Sequence, residues 1–185
     1  MSKATIDAAI ARGQGISSSG APLEQLTIEA MLPGSVAVVI VCLTDQKART
    51  MQDVRTILKK SGGTISPVTF LFEKKGKVVF EKDPQGKSAD DYLEDAIDAG
   101  AADISADSEG RLILYTEPTM TKSVGEAMSA TAGLKIESSD IIWDPNKDTM
   151  ATLQTEEAMN EVDVFLERIH DEPTVQEIYM NLART

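Results

Sequence analysis

The run Ser35-Val36-Ala37-Val38-Val39-Ile40-Val41-Cys42-Leu43 is apolar at every position after the first. A short apolar run bounded by turn signals suits a strand covered on both faces, at the centre of a sheet. Pro33-Gly34 supplies the turn before it. Outward from it, Glu24–Met31 reads as a first strand. On the other side Thr50, with Asp53 three residues later, has the spacing of a capping box. The helix predicted from there carries Met51, Val54, Ile57 and Leu58 on one side and Arg55, Lys59 and Lys60 on the other. It ends at Gly62-Gly63, and Val68–Phe72 reads as a third strand.

Lys75-Gly76-Lys77 resets the pattern. Lys77–Glu81 reads as a strand. Ser88 and Asp91 cap a helix bearing Tyr92, Leu93, Ala96 and Ile97. Two short strands follow, near Asp103 and over Arg111–Tyr115. A helix over 122–132 carries Val124 and Met128 and stops at Gly133, and Lys135–Trp143 is the last strand of this group. The order β-α-β-β-α-β is the ferredoxin-like pattern. Beyond the loop 144–153, a helix over 155–170 presents Ala158, Met159, Val162, Phe165, Leu166 and Ile169, and Val175–Leu182 is a strand. The middle group is already complete, so this α-β pair has its place with the first group, whose β-β-α-β needs further layers. The expected class is α/β (α+β): two small α/β sandwich domains, 16–74 plus 149–185 and 75–148, the second ferredoxin-like and inserted into the first. Three sequential pieces are the alternative.

At the start, Ser2 caps a short helix through Ala11 that ends at Gly13 and Gly15, and Ile6 and Ile10 share one face. Residues 1–15 are expected to be the remnant of a larger helical domain; an arm docked on its own chain is the alternative. Gly- and Ser-rich residues 14–22 form a linker.

Charge is distributed unevenly. The 185 residues carry a net charge of −12. Between Thr44 and Lys77, however, eight basic residues (Lys47, Arg49, Arg55, Lys59, Lys60, Lys74, Lys75, Lys77) face three acidic ones (Asp45, Asp53, Glu73). An acidic chain with one basic element meets a polyanion on a single face, not over its whole surface. A solvated helix face and a protein-binding face are the competing readings. Aromatic residues make up 4% of the chain, so platforms for base stacking are scarce. Phe70 and Phe72 alternate with Leu71 and are expected to pack in the core.

Little catalytic chemistry is visible. His170 is the single histidine and stands on the last turn of a helix, where a cation is favourable. Cys42 lies inside the apolar run without an evident activating base. Asp90, Asp91, Glu94, Asp95 and Asp98 read as a solvated helix face, and Asp144, Asn146 and Asp148 as turn chemistry. There is no GxxxxGK[ST] run, and no apolar run reaches the ~18 residues of a membrane span. No catalytic residue, cofactor, metal site or membrane insertion is expected.

Several segments resemble the YebC/PmpR/TACO1-like family of transcriptional regulators and translational activators, in order and spacing along nearly the whole chain. They are Ser2–Gly13, the strand and loop Val41–Thr50, Lys60-Ser61-Gly62-Gly63, Phe72-Glu73-Lys74-Lys75-Gly76, Ala99-Gly100-Ala101-Ala102-Asp103 and Val175-Gln176-Glu177-Ile178-Tyr179. The resemblance implies three domains without catalytic activity: a basic helical first domain and two α/β domains, the last inserted into the second. It also implies nucleic-acid contacts at Lys47, Arg49, Arg55 and Lys59. Lys60, Lys74 and Lys75 complete the expected contact set by their charge. The expected function is that of a non-enzymatic translation factor acting on the ribosome, rRNA or mRNA, as a monomer, in the mitochondrion. The alternative is a transcriptional regulator that binds duplex DNA, with the cytoplasm as the alternative location. Two departures are evident. Met1 falls where the family's basic first domain is ending, and the loop Thr64-Ile65-Ser66-Pro67 is shorter and poorer in glycine than in the family.

Overall fold

A computed structural model describes residues 20–183 together with Gly13, Gly15 and Ser17. The helix expected before Gly13 lies outside the described residues. The chain forms two compact units: residues up to Phe72 with those from Pro145 onward, and Glu73–Asp144.

The first unit is built on β2 (Val36–Thr44), the apolar run itself. It lies between β1 (Glu24–Leu32) and β8 (Val175–Met180), and the short β3 (Thr64–Ile65) pairs on the outer edge of β1, giving the order β3-β1-β2-β8. All three pairings are antiparallel. Side chains on a strand alternate between faces. Ile28, Ala30 and Leu32 of β1 and Val36, Val38, Ile40 and Cys42 of β2 therefore share one face. They pack with Val54 and Leu58 of α1 (Lys47–Lys60) and with Val162, Phe165 and Ile169 of α4 (Glu156–His170). Phe165 and Ile169 are fully buried, and truncating such a side chain to alanine costs roughly 3–5 kcal/mol for phenylalanine and roughly 2–5 kcal/mol for isoleucine. Thr155 caps α4 through its hydroxyl, which accepts from the Ala158 N–H at 3.2 Å. Met159, placed on the core side by its spacing, is exposed.

Asn181 closes the unit. Its side-chain oxygen accepts from the Ala37 N–H at 2.8 Å, and its amide donates to the Thr149 carbonyl at 2.8 Å.

The second unit has the strand order β5-β6-β4-β7, from β4 (Phe72–Phe80), β5 (Asp103–Ala106), β6 (Leu112–Thr116) and β7 (Ile136–Pro145). With the crossovers through α2 (Leu93–Ala99) and α3 (Thr121–Ala132), this is the ferredoxin-like arrangement. Val78, Phe80, Leu112 and Leu114 of the sheet pack with Tyr92, Ala96, Val124 and Met128 of the helical layer. Gly100 and Gly133, at φ of 91° and 71°, end α2 and α3 in the left-handed conformation that glycine adopts without strain.

Four local expectations are corrected. There is no strand over Val68–Phe72; Thr69–Leu71 is a 3-10 turn. Pro67 has no N–H to donate to a ladder, and the N–H groups of Val68 and Thr69 are taken by the Glu29 carboxylate at 2.7 and 2.9 Å. Phe70 and Phe72 consequently do not share a sheet face: Phe72 is buried and Phe70 is 72% exposed. Second, Lys75-Gly76-Lys77 does not interrupt the chain, because β4 runs straight through it. A Cβ at position 76 would collide with the hydroxyls of Thr116 and Thr121, so glycine serves here for close packing, not as a turn. Third, α1 begins at Lys47, and Thr50 is a buried residue inside it, not its cap. Fourth, Leu93 and Ile97 lie on the outer side of α2.

Candidate nucleic-acid interface

The helix α1 follows β2 after a two-residue turn. The Thr44 hydroxyl accepts from the Gln46 N–H at 3.0 Å and from the Thr50 hydroxyl at 2.9 Å, tying the first turn of the helix to the strand end. With Thr50, Val54 and Leu58 inside and Met51 and Ile57 half-buried, the helical period turns Arg49, Arg55, Lys59 and Lys60 outward, while Lys47 shares the stripe of Thr50, Val54 and Leu58 and is exposed as the first residue of the helix. Arg55 and Lys59 lie one turn apart on one stripe, and Arg49 and Lys60 lie on the adjoining one.

These cations are not equivalent. Lys47 reaches Glu24 at 2.6 Å and holds that carboxyl below its ordinary value. Arg49 lies 3.7 Å from Asp53, one turn on. Arg55, Lys59 and Lys60 have no ion-pair partner among the described residues. Lys59 and Lys60 are in the last turn, where the helix dipole favours cations. Lys47 and Arg49 are in the first turns, where it disfavours them by ~0.3–1 kcal/mol each, and no acidic residue in the first turn offsets that.

Lys74 and Lys75 belong to the second unit. The Lys74 ammonium lies 5.4 Å from the centroid of the Trp143 ring. Lys75 is half-buried between the Glu73 and Asp144 carboxylates, each at 2.9 Å, and the hydrogen bonds to them raise its pKa. Its charge is therefore largely spent inside the unit. Of the expected set, α1 gathers Lys47, Arg49, Arg55, Lys59 and Lys60.

Phe70 belongs with the candidate residues, although its alternation with Phe72 pointed to the core. It tops the 3-10 turn of the first unit, held from below by Asn146, whose amide donates to the Phe70 carbonyl at 3.2 Å. The local signal was Pro67, which weakens a strand reading for the residues after it.

The remaining candidates are accounted for locally. His170 is the exposed last residue of α4. Cys42 is buried, and burial pushes its thiol up to about 11. Asp144 is engaged by Lys75, and Asn146 donates its backbone N–H to Leu71. Among the described residues there is no group of three or more His, Cys, Asp or Glu side chains able to hold a metal ion. No helix is long and apolar enough to cross a membrane, again among the described residues.

Two antiparallel sheets, each flanked by two helices, make up an α/β architecture, and one of the helices carries an outward basic face. A solved structure shares it: the crystal structure of a conserved hypothetical protein, Aq1575, from Aquifex aeolicus aligns with a TM-score of 0.74 and 31% identity, over 96% of this chain and 72% of that one. The model of the TACO1/YebC second and third domain matches residues 23–182. The chain belongs to the YebC/TACO1 family. Probable transcriptional regulatory proteins of Acidithiobacillus ferrooxidans and Acidothermus cellulolyticus are 38% and 34% identical over 184 and 179 residues, which is 98% and 95% of this chain and 70% and 69% of theirs. One from Limosilactobacillus reuteri is 37% identical over 152 residues, 80% of this chain and 60% of its own length. The family is one of non-catalytic regulatory and translation-associated proteins.

Proposed function

We propose that the chain regulates gene expression by binding nucleic acid through the outer face of α1, and that duplex DNA is its target. The observation that carries the reading is the set Arg55, Lys59 and Lys60: exposed, close together and without carboxylate partners among the described residues, in a chain of net charge −12. Contacts of this kind engage phosphates and position a protein without reading bases. The relatives' description as probable transcriptional regulatory proteins favours DNA. Gel-shift titration with duplex DNA between about 50 and 200 mM salt is the test; each phosphate contact lowers the slope of log affinity against log salt by about 0.9. Absence of a shift at the low-salt end overturns the proposal.

A second reading is that of a translational activator on the ribosome or mRNA. The exposed Phe70 supports it, since an aromatic ring in solvent suits stacking on an unpaired base. Such a factor sediments with ribosomes in a salt-dependent manner, and Phe70→Ala weakens its binding to single-stranded RNA but not to duplex DNA. In this reading the chain works in the mitochondrion, with the cytoplasm as alternative; cell fractionation separates the two.

A further inference from the structure

The outer face of α2 is an unpartnered helix surface of a different character from α1. Leu93 and Ile97, one turn apart on one stripe, are 45% and 63% exposed. The next stripe of α2 carries Glu94 and Asp98, and Asp90 stands in the 3-10 turn before the helix; all three are exposed and none is paired with a cation among the described residues. Like charges four residues apart repel, and Asp98 adds a negative charge at the helix end where the dipole disfavours it. No basic residue stands in the last turn of α2. The nearest cation in sequence, Lys87, lies 5.4 Å from the Tyr92 ring centroid. The stretch 88–110 holds eight acidic residues and no basic one.

We propose that this face docks a basic amphipathic helix of a partner protein. The apolar side of such a helix covers Leu93 and Ile97, while its Lys or Arg residues neutralise Asp90, Glu94 and Asp98 and compensate the C-terminal end of α2. Charge complementarity selects this occupant over the others. Nucleic acid and anionic membranes meet repulsion here. A second copy of the chain brings the same carboxylates against themselves, because a two-fold contact is made by the same patch on both subunits. A divalent cation leaves the apolar stripe uncovered. The site is independent of α1: one helix offers cations to a polyanion, the other carboxylates and apolar side chains to a protein.

The test uses the full chain and a fluorescent model peptide of about 18 residues, built from Leu and Lys as an amphipathic helix, with a scrambled peptide of the same composition as control. The ordered peptide is expected to bind at least about tenfold tighter than the scrambled one, and Leu93→Ser with Ile97→Ser to remove that advantage. Glu94→Lys with Asp98→Lys should weaken binding to a similar extent. Glu157→Lys with Glu161→Lys, the same charge change on α4, should leave the ordered peptide's advantage in place. Hydrogen exchange on the unmutated chain supplies a readout that needs no variant: the peptide should protect 93–100 and not α4. Equal binding of ordered and scrambled peptides, equal loss on the α4 variant, or protection elsewhere overturns the proposal. So does self-association of the chain that Ile97→Ser abolishes.

Discussion

The Thr50 hydroxyl donates to the Thr44 hydroxyl at 2.9 Å, both residues being buried where β2 hands over to α1. This bond ties the first turn of the basic helix to the end of the strand. Thr50→Val keeps the shape and removes the donor. The expected cost is about 0.5–1.5 kcal/mol of stability, because Thr44 still accepts from the Gln46 N–H. Thr50→Ser should recover most of it. Denaturant unfolding of the three proteins gives the comparison, and a valine variant as stable as the parent would show that the pair is mere proximity.

Arg55 and Lys75 should respond oppositely to neutralisation. Arg55→Gln is expected to lower the salt slope of nucleic-acid binding by about 1, with stability changing by less than ~0.5 kcal/mol. Lys75→Gln should leave binding nearly unchanged, since Glu73 and Asp144 already hold that charge. Its effect is a modest loss of stability, at most about 1 kcal/mol for a pair with this exposure. A steep loss of binding on Lys75→Gln would return that residue to the interface.

Glu29 ties acid stability to the turn that carries Phe70. Burial pushes its carboxyl up, but the N–H groups of Thr69 and Val68 outweigh this and hold it below the ordinary 4.5. A depressed carboxyl contributes stability that is fully present above its unfolded value and lost as pH falls through the folded one. The first unit should therefore weaken as pH drops below 4.5. Glu29→Gln, which keeps an acceptor oxygen but does not titrate, should flatten that part of the pH profile of unfolding. A profile identical to the parent's would remove Glu29 from the account.

At Gly76 the sheet leaves no space for a side chain. Gly76→Ala places a methyl group against the Thr116 and Thr121 hydroxyls and should cost about 1–3 kcal/mol, as overpacking does. Thr121→Ala in the same chain should relieve part of the loss, giving a coupling that a double-mutant cycle detects.

Cys42 is expected to be inert. Its thiol is raised from 9.0 to about 11, chiefly by burial, so near pH 8 the thiolate is about a hundredfold scarcer than in the unfolded chain. Labelling by a thiol reagent should follow unfolding; rapid labelling of the folded protein would place Cys42 at the surface.

The sequence alone determined those features whose cause is local. The unbroken apolar run of β2, the helical spacing Val54–Leu58 with its cationic opposite side and the glycine that ends α3 all act within a few residues. The strand and helix order follows from them, and with it the ferredoxin-like unit. Tertiary structure decided whatever depends on a distant partner. Glu29 turns residues 68–71 from a strand into a 3-10 turn from 39 and 40 positions away. Asp144 claims Lys75 from 69 positions away, so a residue counted as a free cation becomes an internal ion pair. Threonines at 116 and 121 convert Gly76 from an apparent break into the middle of a strand. Propensity and period speak for a segment's shape. Which of its groups remain free to meet a partner is decided by the neighbours that folding brings to them, and no local pattern records those neighbours.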